Sequence, residues 1–157
     1  MMSRRCEYAL RALVDLALAR AAGRDRLAVQ EIARHERLPE RFLEQILIQL
    51  RREGILKSFR GRRGGYGLGR APGSIRLGAV VRLLEGPLAP IACASRSAYA
   101  ACTCPDEERC GLRMVMVEAR DALASILDRY TLAEVVRRVR GAHRKARAPL
   151  PFAGAEV

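Results

Sequence analysis

The sequence predicts a mainly α-helical chain with one small β-hairpin, and three observations carry that prediction. Apolar residues recur at helical spacing in six separate stretches. Only one segment, 55–68, alternates as strands do, and its middle is rich in glycine and arginine. Half of the 157 residues are hydrophobic, and a chain of this length buries roughly 70% of its unfolded surface, enough for a core without a disulfide scaffold.

Taken in order, Glu7, Arg11 and Asp15 repeat four residues apart with alternating sign. Tyr8, Ala9, Ala12, Leu13, Leu16 and Ala17 fall on the opposite side, so the first helix is amphipathic and ends near Gly23. Val29, Ile32 and Ala33 mark a short second helix. Pro39 opens a third, with Leu43, Ile46, Leu47 and Leu50 at helical spacing and a stop at Gly54. Residues 55–60 and 66–68 then read as strands joined by the basic turn Gly61-Arg62-Arg63-Gly64-Gly65.

Two short helices followed by a basic hairpin read as a winged helix-turn-helix. In that arrangement the third helix offers its N-terminal side chains to the major groove of double-stranded DNA and the hairpin reaches the adjacent minor groove. Arg41, Glu44 and Gln45 are residue types that hydrogen-bond base edges. Arg60, Arg62 and Arg63 place three cations at one turn, where they repel unless a polyanion meets them. The glycines do not form a nucleotide loop: no Gly-Lys-Ser/Thr follows, and Arg70 stands where a last glycine is required.

A fourth helix starts after Ile75-Arg76-Leu77, buries Val80, Leu83 and Leu84, and ends at Gly86-Pro87. A loop of about 24 residues follows and holds Cys93, Cys102, Cys104 and Cys110. Leu112, Met116, Ala119, Leu123, Ile126 and Tyr130 then step by four and three, the seam spacing of a long helix that packs lengthwise on another. The seam suits the core face of a monomer or a homodimer. Reading two half-sites of a palindromic operator requires two copies, which favours a dimerisation helix. Thr131-Leu132-Ala133-Glu134 is a capping box opening a final helix through about Arg140. The organisation expected is a DNA-binding domain at 1–85, a sensor loop at 86–111, dimerisation and final helices at 112–140 and a flexible tail at 141–157.

Charge supports this division. The net charge is +12. Residues 1–85 carry 18 Lys and Arg against 9 Asp and Glu, whereas residues 86–136 carry 5 against 7. A basic first half joined to a near-neutral, cysteine-bearing second half reads as a polyanion binder coupled to something else. No apolar run is long enough for a membrane span and no signal peptide is legible, so a cytoplasmic location is expected. There the cysteines are metal-binding or redox-active more readily than disulfide-paired. Their spacing matches neither a zinc ribbon nor a ferredoxin, leaving a metal or cluster site, a thiol–disulfide switch and inert thiols as readings. No nucleophile–base pair, carboxylate dyad or phosphate loop supports an enzyme. Cys6 reads as a small buried hydrophobe, and His35 and His143 as surface histidines.

Residues 2–140 resemble the IscR/NsrR/RirA-type group of bacterial winged-helix transcription regulators, the Rrf family. The resemblance rests on Glu7-Tyr8-Ala9-Leu10-Arg11-Ala12-Leu13, on Phe42-Leu43-Glu44-Gln45-Ile46-Leu47, and on the wing from Arg60 to Gly69. The cysteine loop, the long helix after it and the capping box complete the match. It implies a homodimeric DNA-binding regulator, a repressor, sensing iron, nitric oxide or redox state through a [4Fe–4S] or [2Fe–2S] iron–sulfur cluster. Cys93, Cys104 and Cys110 take the family's ligand positions, and Cys102 is an additional thiol. IscR-like members place a histidine three residues after the last cysteine; here that residue is Arg113, and guanidinium cannot replace imidazole. Other members use a carboxylate at the start of the partner subunit's first helix, and Glu7 occupies that place, with Cys6 and Cys102 as rivals. A zinc or thiol-redox regulator of the same fold, or a cluster-bearing electron carrier, are the alternatives.

Overall fold

The computed structural model describes residues 2–152. Among the described residues there are six α-helices and one two-stranded antiparallel sheet: α1 Arg4–Ala21, α2 Val29–Glu36, α3 Glu40–Arg52, β1 Leu56–Phe59, β2 Gly65–Leu68, α4 Leu77–Glu85, α5 Gly111–Arg129 and α6 Leu132–Ala146. They divide into two compact units. One gathers the chain up to Ile75 with the segment from Thr131 onward, and the other is Arg76–Tyr130.

In the first unit, α1 starts at Ser3, whose hydroxyl accepts from the Cys6 amide and satisfies one of the free N–H groups of the first turn. Leu13, Leu16, Ile32, Leu43, Ile46, Leu47, Leu50 and Leu132 are the buried core, so the helical spacing read in α1, α2 and α3 faces inward as expected. Arg37 closes α2 in the left-handed conformation, and Pro39 stands at the start of α3. Arg70 turns back on the end of α3 and donates to the carbonyls of Glu53 and Gly54 at 2.8 and 3.1 Å.

The hairpin is fastened to this core by a third extended segment. Leu27 exchanges two 2.9 Å backbone hydrogen bonds with Tyr66. That approach explains two of the wing's glycines: a Cβ on Gly65 would lie 2.2 Å from the Leu27 carbonyl oxygen, and one on Gly67 would lie 2.1 Å from that of Asp25. Phe59 stands between Arg26 and Lys57, each 5.1 Å from its ring, which holds the base of the wing. The mainly α winged helix-turn-helix is therefore present.

The final helix carries the expected capping box, with the Thr131 hydroxyl facing the Glu134 amide and the Glu134 carboxylate accepting from the Thr131 amide. It continues to Ala146, six residues beyond the expected end near Arg140, because Ala142, Arg144, Lys145 and Ala146 are strong helix formers that carry it past Gly141. It also belongs to the first unit rather than standing with α5. Residues 153–157 of the expected tail lie outside the described residues.

In the second unit, α4 packs on α5 and is tied to it by Arg82, which makes two 2.7 Å hydrogen bonds to the Asp128 carboxylate. Gly78, Val80 and Val81 are the buried residues of α4, and Leu83 and Leu84, expected in the core, are half-buried. Residue α5 by residue, nothing is fully buried: Leu112, Val115, Leu123 and Ile126 are exposed on one face. Of the expected seam, Leu112, Ala119, Leu123 and Ile126 are exposed, while Met116 and Tyr130 are half-buried.

Candidate functional site

The first candidate surface is the reading helix and wing. α3 buries Leu43, Ile46, Leu47 and Leu50, which forces Arg41, Glu44 and Gln45 outward, and all three are exposed. Arg60, Arg62 and Arg63 are likewise exposed at the hairpin tip between β1 and β2. These six residues share the first unit, and no ion pair among the described residues neutralises Arg41, Arg60, Arg62 or Arg63. A set of unpaired cations beside a donor–acceptor pair, Gln45 and Glu44, can bind phosphates and read bases.

Glu7, expected as a cluster ligand, is an exposed first-turn carboxylate 3.2 Å from Arg11. Cys6 is fully buried in the first unit. Asp15 departs from the charged solvent face read in the sequence: it is 1% exposed and meets His35 Nδ1 at 2.9 Å. Burial pushes its carboxyl up to about 7, while His35 pulls the other way. His35 is therefore a paired histidine, not a free surface one.

The second candidate site is the cysteine loop of the second unit. A short 3-10 turn at Ala92–Ala94 buries Cys93, and Cys110 stands at the N-cap of α5. The sulfurs form a row. Cys102 neighbours both Cys93 and Cys104, and Cys104 lies 3.9 Å from Cys110. Backbone N–H groups of Arg113 and Leu112, at the start of α5, lower the Cys110 thiol below its usual value. Neighbouring thiols push Cys104 up to about 12, and burial raises Cys93.

Arg113, standing where IscR-like members have histidine, holds the loop instead of a metal: its Nε donates to the Cys93 carbonyl at 3.0 Å and pairs with Glu107 at 3.2 Å. Glu107 also accepts from the Tyr99 hydroxyl at 3.0 Å and lies 3.8 Å from the Cys102 sulfur. Sequence reasoning passed over Tyr99 and Glu107, whose only signal was their place inside a cysteine-bearing loop. Arg120 further clasps the loop through the Ala94 carbonyl.

The row of sulfurs can be tested against the groups it might hold. A tetrahedral zinc with four thiolates at about 2.3 Å keeps every sulfur about 3.8 Å from the other three. Among the described residues no three of these sulfurs come within 4.8 Å of one another. Four thiols in one loop are the donor type that iron–sulfur clusters take. The donor set thus fits an iron–sulfur cluster.

Comparison with known proteins agrees with the winged-helix fold. Residues 2–138 match the family model Rrf2, described as an iron-dependent transcriptional regulator. A relative from Rhodobacter capsulatus named rrf2-like is 41% identical over 138 residues, 87% of this chain and 92% of that one. Among solved structures, CymR (YrzC), titled the global cysteine regulator of B. subtilis, superposes with a TM-score of 0.73 at 30% identity, covering 88% of this chain and 97% of that one. IscR of T. potens gives 0.70 at 29% identity over 90% of each chain. No helix among the described residues is long and apolar enough to cross a membrane. With a winged helix-turn-helix, an exposed cationic wing and a family match along most of its length, the chain belongs to the Rrf2 family of transcriptional regulators.

Proposed function

We propose that the chain is a homodimeric, sequence-specific DNA-binding repressor whose cysteine loop holds an iron–sulfur cluster and through it reports on iron, nitric oxide or redox state. The observation that carries this reading is the row Cys93–Cys102–Cys104–Cys110 beside the N-terminus of a long helix whose apolar face the chain leaves open. Cys93, Cys104 and Cys110 would hold the cluster, and Cys102, already against two of them, is the fourth donor supported by contact. Glu7 of the partner subunit is the other. When bound, such a group supplies a centre that oxidants and nitric oxide attack and that iron shortage leaves unfilled.

This chain's own residues do the rest. Arg113, Glu107, Tyr99 and Arg120 fasten the loop to α5, so a change in how the sulfurs are held changes which of these bonds persist. Within its own unit, the Leu77 amide donates to the Tyr130 carbonyl, where α4 begins and α5 ends. Within the reading unit, the Leu132 amide donates to the Ile75 carbonyl. The two units are joined covalently at 75–76 and 130–131, beside these bonds. A two-state loop biasing the placement of two reading units is sufficient for regulation. On DNA, Arg41, Glu44 and Gln45 read base edges while Arg60, Arg62 and Arg63 meet phosphates.

Protein purified without oxygen tests the reading through iron, sulfide and visible absorbance measured together. Iron and acid-labile sulfide in equal amounts with a visible band support it. Colourless protein with bound zinc, or with free thiols alone, overturns it. The 3.9 Å separation of Cys104 and Cys110 favours a thiol-redox regulator as the second reading, and the thiol-only outcome would select it.

A further inference from the structure

Asp15, His35 and Glu36 form a compact group away from the cysteines. Asp15 comes from the middle of α1; His35 and Glu36 end α2, where the helix C-terminus favours a cation. His35 Nδ1 lies 2.9 Å from Asp15 Oδ2 and 3.6 Å from Glu36 Oε1, and one ligand atom from each residue falls within 4.8 Å of the other two. We propose that these three residues bind a divalent first-row transition cation that clasps α1 to α2 inside the DNA-reading unit.

Four physical points support the site. A cation with ligands at about 2.0–2.2 Å spaces them about 3.4 Å apart in a tetrahedral arrangement, and the observed separations bracket that value. Asp15 is 1% exposed, and its polar partners among the described residues are His35 and Glu36 themselves. Among the described residues its side-chain hydrogen-bond partners are an imidazole and a carboxyl, so its charge depends on what this group holds. Arg11 grips the far side of Glu36, its Nε 2.6 Å from Oε2 and a second nitrogen on the Glu36 carbonyl, which leaves Oε1 turned toward His35. Such an outer contact fixes a ligand's orientation.

Charge gives the same answer. Asp15 and Glu36 face one guanidinium, Arg11, which Glu7 shares, so the group is negative overall when both carboxyls are ionised and His35 is uncharged. A proton or a metal cation supplies positive charge to the group, and the two compete for the same ligand atoms. His35, beside the Phe152 ring, is 38% exposed and Glu36 17%, so the group is not sealed from solvent. One imidazole with two carboxylates suits zinc, cobalt, manganese or ferrous iron and does not favour calcium or magnesium.

The chain has two histidines, His35 and His143, so imidazole NMR on the full-length labelled protein reads the site directly. Zinc is added beyond saturation of the thiols. The expected result at fixed pH is that the His35 ring nitrogens shift and saturate with zinc, while those of His143 do not. Asp15→Asn or Glu36→Gln should weaken zinc binding at His35 at least tenfold. His35 ring nitrogens that do not move at millimolar zinc overturn the proposal and leave an ion pair. So does an unchanged zinc response in Glu36→Gln, which would mean adventitious binding to one histidine. The wild-type titration decides the matter even if a variant fails to fold.

Discussion

Replacing Ile126 on α5 with aspartate should break the proposed homodimer. Ile126 is 50% exposed, in line with Leu112, Val115 and Leu123 at 59, 57 and 44%. Complete burial of such a side chain is worth about 1.5–3 kcal/mol, so covering its exposed half recovers about 1 kcal/mol. A two-fold interface uses the position twice, giving about 2 kcal/mol per dimer from lost apolar contact alone. That corresponds to a rise of about 30-fold in the dimer Kd, and confronting two carboxylates at the seam adds to it. Sedimentation velocity from nanomolar to micromolar concentration measures the shift, with circular dichroism confirming that the helices persist. DNA affinity should fall in parallel, because each half-site then binds alone. A wild-type chain that stays monomeric at about 100 μM, or an Ile126→Asp variant with unchanged Kd, would refute the reasoning.

Three further outcomes are expected. If each subunit meets about four phosphates, log affinity should fall against log salt with a slope near −7; Arg62→Ala should weaken all sequences alike and flatten that slope by about 2 per dimer, whereas Gln45→Ala should relax sequence choice with the slope kept. Gly67→Ala sets a methyl 2.1 Å from the Asp25 carbonyl oxygen, so the reading unit should lose about 3 kcal/mol, seen as a lower denaturation midpoint, and a neutral variant would mean that segment 25–27 does not pack on the wing. Asp15, whose burial raises its carboxyl from 3.8 to about 7, binds its proton more tightly folded than unfolded; the folded state therefore carries the extra proton between those values, and stability falls as pH rises through that window, by up to about 1.4 kcal/mol per pH unit. Urea midpoints against pH check this, and Asp15→Asn should remove the fall; an identical slope in wild type and variant would assign it elsewhere.

How much could be read from residue order is clear in particular places. The inward faces of α1, α2 and α3 were legible because helical spacing of leucine and isoleucine has one geometric solution. The capping box was legible because its chemistry is local. Asp15 was misplaced because alternating charge at four-residue spacing marks a solvent face only if no tertiary partner intervenes, and His35, 20 residues away, does so. The six extra residues of α6 were hidden by an Arg- and Ala-rich composition that suits a tail as well as a helix. Among the thiols, spacing located the loop, but the position of Cys102 between Cys93 and Cys104 depends on bonds made by Arg113, Glu107 and Tyr99. The glycines of the wing were visible, yet their reason, the close passage of residues 25–27, is a non-local contact.

The most direct measurement is the affinity of one anaerobic preparation for its operator DNA, by fluorescence anisotropy, before and after the cluster is stripped, with iron and sulfide counted in both states. At least a tenfold change that vanishes in Cys104→Ser is the expected result. Equal affinity in the two states, with iron and sulfide shown to be present and then removed, would contradict a regulator governed by its cysteine loop.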